Sequence, residues 1–162
     1  MTAKATRPDI MPPTRTLGVA LVVGISMLAL VTPADAFALD FHARANQLCT
    51  TILGMIKDPP QRMHSPSQLP RPVGDRWLAS ASGAFAALSG GLDDLEPPPR
   101  VRLTYRRMTD RFAVLGRLFA TAKRDFDRGH YKALDHQLSV AAEVAGRAAA
   151  LATMIDLAEC GP

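Results

Sequence analysis

Two cysteines, four histidines, seven methionines and a short acidic cluster are the groups in this 162-residue chain whose types could do chemistry. Cys49 and Cys160 are the sharpest of them. A catalytic thiol needs a nearby base and an electropositive setting to become a thiolate, and the sequence places neither beside these two. In an oxidising compartment two cysteines are ordinarily paired, so a Cys49–Cys160 disulfide is expected. Met63-His64, with Met55, Met108, His42, His130 and His136, invites a copper or haem site. No pair has the spacing H-x3-H, and C-x-x-C-H is absent. His130 and His136 are six apart and point to different sides of a helix. Asp93, Asp94 and Glu96 precede Pro97-Pro98-Pro99, where negative charge suits the start of a following helix. No nucleophile elbow, P-loop or dinucleotide-binding glycine pattern occurs. The expectation is a non-enzymatic protein with no catalytic residues, no cofactor and no metal ligands.

Arginine is the other conspicuous group. Arg102, Arg106, Arg107, Arg111, Arg117 and Arg124 crowd one segment, against Asp110 and Asp125. Most lie off the apolar stripe of that segment, so they form an outward face that an anionic envelope polymer or lipid headgroups would meet. The plainer reading is a solvated helix face with partial pairing by the two aspartates. Interleaved aromatics for base stacking are absent, which disfavours nucleic acid. Other expected partners are an anionic envelope component or another exported protein.

The segment before these groups reads as an export signal. Lys4, Arg7 and Arg15 give a positive front, and Leu17 to Val31 is an uncharged run of 15 residues. Pro33 and the small-x-small motif Ala34-Asp35-Ala36 follow, as at a cleavage site. Cleavage after Ala36 gives a signal peptide over 1–36 and a domain over 37–162; a second register, Ala36-Phe37-Ala38, cuts after Ala38. A retained anchor through residues 17–31 is the alternative, although spanning hydrocarbon takes about 20 apolar residues. The protein is expected outside the cytoplasm, secreted or in the cell envelope, or anchored there by a single pass. The part from Phe37 onward carries sixteen basic and thirteen acidic residues, too mild an excess to demand nucleic acid.

Four helices must position these groups. Phe41, Ala45, Leu48, Ile52 and Met55 alternate spacings of four and three in the first, with Cys49 beside the stripe. Five prolines mark residues 58–74 as a loop. The second helix is expected to start at Asp75 as N-cap and to bury Trp77, Ala81, Phe85 and Leu88. Gly90-Gly91 offers an early stop, while Leu92 and Leu95 keep the period. The third, over about 99–128, opens on the triple proline. Val101, Tyr105, Met108, Phe112, Leu115, Phe119, Ala122 and Phe126 line its inner face, with Phe112 and Phe119 fully buried. Gly129 then breaks the chain as a positive-φ cap. Tyr131, Leu134, Leu138, Ala141, Ala145, Ala148, Ala152 and Ile155 carry the stripe of the fourth. Gly129, Tyr131 and Ala133 resemble part of a tetratricopeptide helix, but the interval is short and no second copy stands about 34 residues away.

The fold class expected is all-α: an antiparallel four-helix bundle tied by one disulfide and preceded by a signal peptide. "ANQLC" around Cys49, "LDDLEPP" over 92–98 and the closing "AECG" are similar to small secreted or lipoprotein-like helical proteins of actinobacteria. The resemblance implies a disulfide-tied helical bundle and no catalytic residues. The functional expectation is an exported binding or interaction module. Its alternative is a carrier holding a small apolar ligand or haem between the helices.

Overall fold

The computed structural model describes residues 33–56 and 69–161. Over these residues the chain is all-helical, without strands: α1 (Pro33–Leu53), α2 (Arg71–Asp93), α3 (Arg102–Asp127) and α4 (Tyr131–Thr153), followed by a 3-10 turn at Ala158–Cys160. The apolar run 17–31 lies outside the described residues. Among the described helices none is long and apolar enough to cross a membrane.

The core follows the stripe of α3. Tyr105, Met108, Phe112, Leu115, Ala122 and Phe126 are buried there, and α3 packs along both α2 and α4. Phe85 of α2 stacks on Phe112 and on Phe119, while Trp77 meets Phe119 edge-on. The two helices approach closely at Gly116: a Cβ there would stand 3.2 Å from the backbone nitrogen of Ala86. Only a residue without a side chain lets the backbones approach this far. The Ser82 hydroxyl donates to the Gly116 carbonyl at 3.1 Å across the same contact. Gly129, at φ +72°, supplies the left-handed residue in the short link from α3 to α4.

Several expectations need correcting. α2 starts at Arg71, not Asp75, because Pro72 is tolerated in a first helical turn; residues 71–74 therefore belong to the helix and not to the expected loop. Residues 57–68 of that loop lie outside the described residues. Asp75 is one turn inside α2 and caps nothing; its carboxylate binds Lys123 instead. The triple proline precedes α3 and does not open it. Phe119 is only half-buried, since it sits at the edge of the core under Trp77. Trp77 is likewise half-buried, and Met55 is 60% exposed because α1 stops at Leu53.

At the other end of the chain α4 stops at Thr153, so Ile155 is not helical. Asp156 takes φ 57°, a region that aspartate enters more readily than most side chains. That turn redirects the tail, and Ile155, Leu157 and Cys160 are all buried against the core that α1 shares.

Candidate functional site: the arginines of α3 and the bridged tail

The arginines divide into two strips. A helix advances about 100° per residue, so Arg102, Arg106, Arg117 and Arg124 fall within an arc of roughly 60°. Arg107 and Arg111 fall on the other flank, with Asp110 between. Arg111 is half-buried and the other five are exposed. Arg102 reaches Glu96 at 4.0 Å, and Arg124 donates to the Thr121 hydroxyl at 3.0 Å. From Arg102 to Arg124 the strip runs roughly 33 Å at 1.5 Å per residue. Successive members stand about 6, 16 and 10 Å apart along the axis. A small anion can touch at most two of them, so the strip matches an extended anionic surface. The flanking pair, with Asp110 and Val114, lines a shallow depression of about 240 Å³.

Two features fix the strip to the fold. Lys123 Nζ lies 2.6 Å from Asp75 Oδ1 and 2.9 Å from Asp127 Oδ2, which joins the start of α2 to the end of α3. Hydrogen bonding to Lys123 holds the Asp75 carboxyl below its ordinary value, and the two carboxylates raise the Lys123 ammonium. Near the start of α3 the buried Tyr105 hydroxyl donates to the Leu92 carbonyl at 2.6 Å. Burial pushes this phenol well above its ordinary value, and Asp93 adds to the shift. Tyr105 thus stays neutral and acts as a structural donor. Beside it Asp93, Asp94, Glu96, Arg102 and Arg106 line an open cleft of about 420 Å³. Among the described residues no group of three or more His, Cys, Asp or Glu side chains is placed to hold a metal ion.

The cysteines meet. Cys49 and Cys160 form a disulfide across 111 residues, with Cα atoms 4.9 Å apart, and both residues are fully buried. Two neighbours on α1 grip the same tail. The His42 Nε2–H donates to the Ile155 carbonyl at 3.1 Å, and the Glu159 backbone N–H donates to Asn46 Oδ1 at 3.3 Å. His42, Asn46 and Cys49 are spaced four and three apart, so they share one face of the helix. Sequence reasoning weighed His42 only as a metal ligand and passed over Asn46. Their spacing from Cys49 was the available signal, once Cys49 was expected to bind the tail. His130 and His136 are exposed, and Met108 is a core residue.

No protein-family model, no curated protein and no solved structure matches this chain.

Proposed function

We propose that this chain is an exported, non-enzymatic interaction module. Its four helices form an antiparallel bundle, delivered through the apolar segment 17–31 and its small-x-small motif, that lies against an extended anionic component of the cell envelope. The observation that carries the reading is the buried Cys49–Cys160 bridge. Disulfides persist in oxidising compartments and are rare in reducing ones, so a bridge built into the core supports a life outside the cytoplasm. The two-to-three-residue link between α3 and α4 supports antiparallel neighbours.

The partner-facing surface is the strip Arg102, Arg106, Arg117 and Arg124. A cationic side chain near an anionic membrane contributes about 1 kcal/mol, so four supply roughly 4 kcal/mol. That is a dissociation constant in the millimolar range, and screening beyond about 8 Å at physiological salt weakens it further. Such a surface works where anionic groups are dense and many copies bind together, as on an envelope. The carrier alternative calls for an apolar chamber; the clefts on α2 and α3 are instead open and lined by charged side chains.

The test is co-sedimentation of the exported protein with phosphatidylglycerol vesicles and with phosphatidylcholine vesicles. Expected are binding to the anionic vesicles alone, loss of it at high salt, and loss of it when all four arginines are changed to Gln. Equal binding to both vesicles, or an unaffected Gln variant, rejects the strip. N-terminal sequencing of the same preparation reads the processing: Phe37 or Leu39 marks cleavage, and an intact 1–36 segment marks the anchor.

A further inference from the structure

α1 is attached to the rest of the domain unlike the other three helices. α2, α3 and α4 follow one another through short links of described chain, and α3 packs along both its neighbours. α1 lies against α2 and the closing 3-10 turn. Among its described side chains Phe41, Ala45 and Cys49 are buried. On the core side Phe41 meets the Tyr105 ring edge-on at 5.1 Å, and Leu48 covers Gly91. On the tail side it is held at His42, Asn46 and Cys49. Cys49 and Cys160 thus bind α1 to the residues that follow α4, and among the described residues nothing else covalent joins those two segments directly.

We infer that the Cys49–Cys160 bridge is a redox-sensitive latch: when it is reduced, α1 and the tail after α4 come away together from a core of α2, α3 and α4 that stays folded. The reductant is a dithiol. It passes two electrons and two protons to the bridge, which becomes two thiols, and it leaves as its own disulfide. Both cysteines are fully buried, so a dithiol reaches the sulfurs only when the packing around the intact bridge loosens enough to expose them. Reduction therefore proceeds at a rate set by that opening, and the closed latch resists reductant. The inference rests on the bridge and its neighbours and is independent of the arginine strip.

Hydrogen exchange read by mass spectrometry on the full chain tests it, comparing the oxidised protein, the dithiothreitol-reduced protein and the Cys49→Ala/Cys160→Ala variant. The expected result is that amides of residues 41–53 and 154–161 exchange roughly a hundredfold faster without the bridge, within the range that typical disulfide stabilisation gives. Amides in the middle of α2, α3 and α4 keep their protection within about threefold. Unchanged protection in α1 overturns the latch, because α1 then stays docked unaided. Equal loss in all four helices overturns it too, because the core then does not stand alone. A second reading is reductant dependence. Doubling dithiothreitol should leave the rate of thiol appearance unchanged once opening is limiting, and a rate rising without limit means the sulfurs are reached with the latch closed.

Discussion

Replacing Gly116 by Ala separates close helix packing from helix propensity, because the two effects have opposite signs there. In a helix interior Ala is favoured over Gly by about 1 kcal/mol. At Gly83 and Gly146 nothing lies within 4 Å of an added Cβ, so Gly83→Ala and Gly146→Ala should each stabilise by about 0.5–1 kcal/mol. At Gly116 the new carbon meets Ala86 N at 3.2 Å, Ser82 O at 3.5 Å and Ala86 Cα at 3.6 Å. All three are backbone atoms of α2, so no rotamer change relieves the contact and the helices must separate by a few tenths of an ångström. Overpacking of this kind costs about 1–3 kcal/mol, and the separation stretches the Ser82–Gly116 hydrogen bond. The net expectation is a loss of about 0–2 kcal/mol, and a gap of roughly 1–3 kcal/mol between Gly83→Ala and Gly116→Ala. Urea unfolding at neutral pH measures it, with the denaturant dependence unchanged in each variant. Should Gly116→Ala stabilise as much as Gly83→Ala, the close approach of α2 and α3 is refuted.

Phe112 is 1% exposed and should lose about 3–5 kcal/mol on truncation to Ala; Arg111→Ala should stay within about 0.5 kcal/mol, and a reversed order in urea melts would displace the register of α3. Tyr105→Phe removes the 2.6 Å donor to the Leu92 carbonyl, which keeps the Leu95 N–H at 3.1 Å, and should cost about 0.5–1.5 kcal/mol by the same assay. Asp75 has a depressed pKa, so its contribution is present above the ordinary carboxylate range and is lost as pH falls through the folded value. The urea midpoints of Asp75→Asn and the parent should accordingly differ at pH 7 and converge in acid; a gap that persists there would mean the carboxylate does not act through its charge. Lys123, whose pKa is raised, keeps its share below the ordinary lysine range and loses it as pH rises through the folded value, which alkaline melts of Lys123→Met would show as the same convergence.

How far each element was legible depended on which force positions it. The stripe of α3 is a repeat of spacings four and three, and six of its eight positions are buried. Val101 and Phe119 are the partial exceptions, at the start and at an edge, where a one-dimensional pattern carries no information on how far the neighbouring helix extends. The start of α2 was misplaced because Asp75 is a good cap by type, while its real partner, Lys123, lies 48 positions away. Pro72 was the better local signal. In the tail, Ile155 keeps the period of α4 but stands beyond it, and no glycine announces the turn at Asp156. The bridge was legible because two cysteines with no base or cation beside them in sequence, in a chain expected to be exported, are ordinarily paired. The grip of His42 and Asn46 on the tail was not, since both bonds span 113 residues.

The arginines and the bridge occupy different parts of the architecture, and that separation bears on how each works. α3 is pinned to α2 at three levels: Tyr105 on Leu92, Gly116 against Ala86, and Lys123 between Asp75 and Asp127. The backbone beneath Arg102, Arg106, Arg117 and Arg124 is one continuous helix held to α2, while each of the four side chains is exposed. Fixed spacing with exposed heads selects for charge density along a line and not for the outline of one ligand. Of these pins Tyr105 also meets α1, through the ring of Phe41, whereas Gly116 and Lys123 are matched to α2. A force that opens α1 from the tail leaves the Gly116 and Lys123 contacts in place beneath Arg117 and Arg124. If both proposals hold, salt acts on the strip where a dithiol acts on the bridge, and the two experiments read separate parts of the domain.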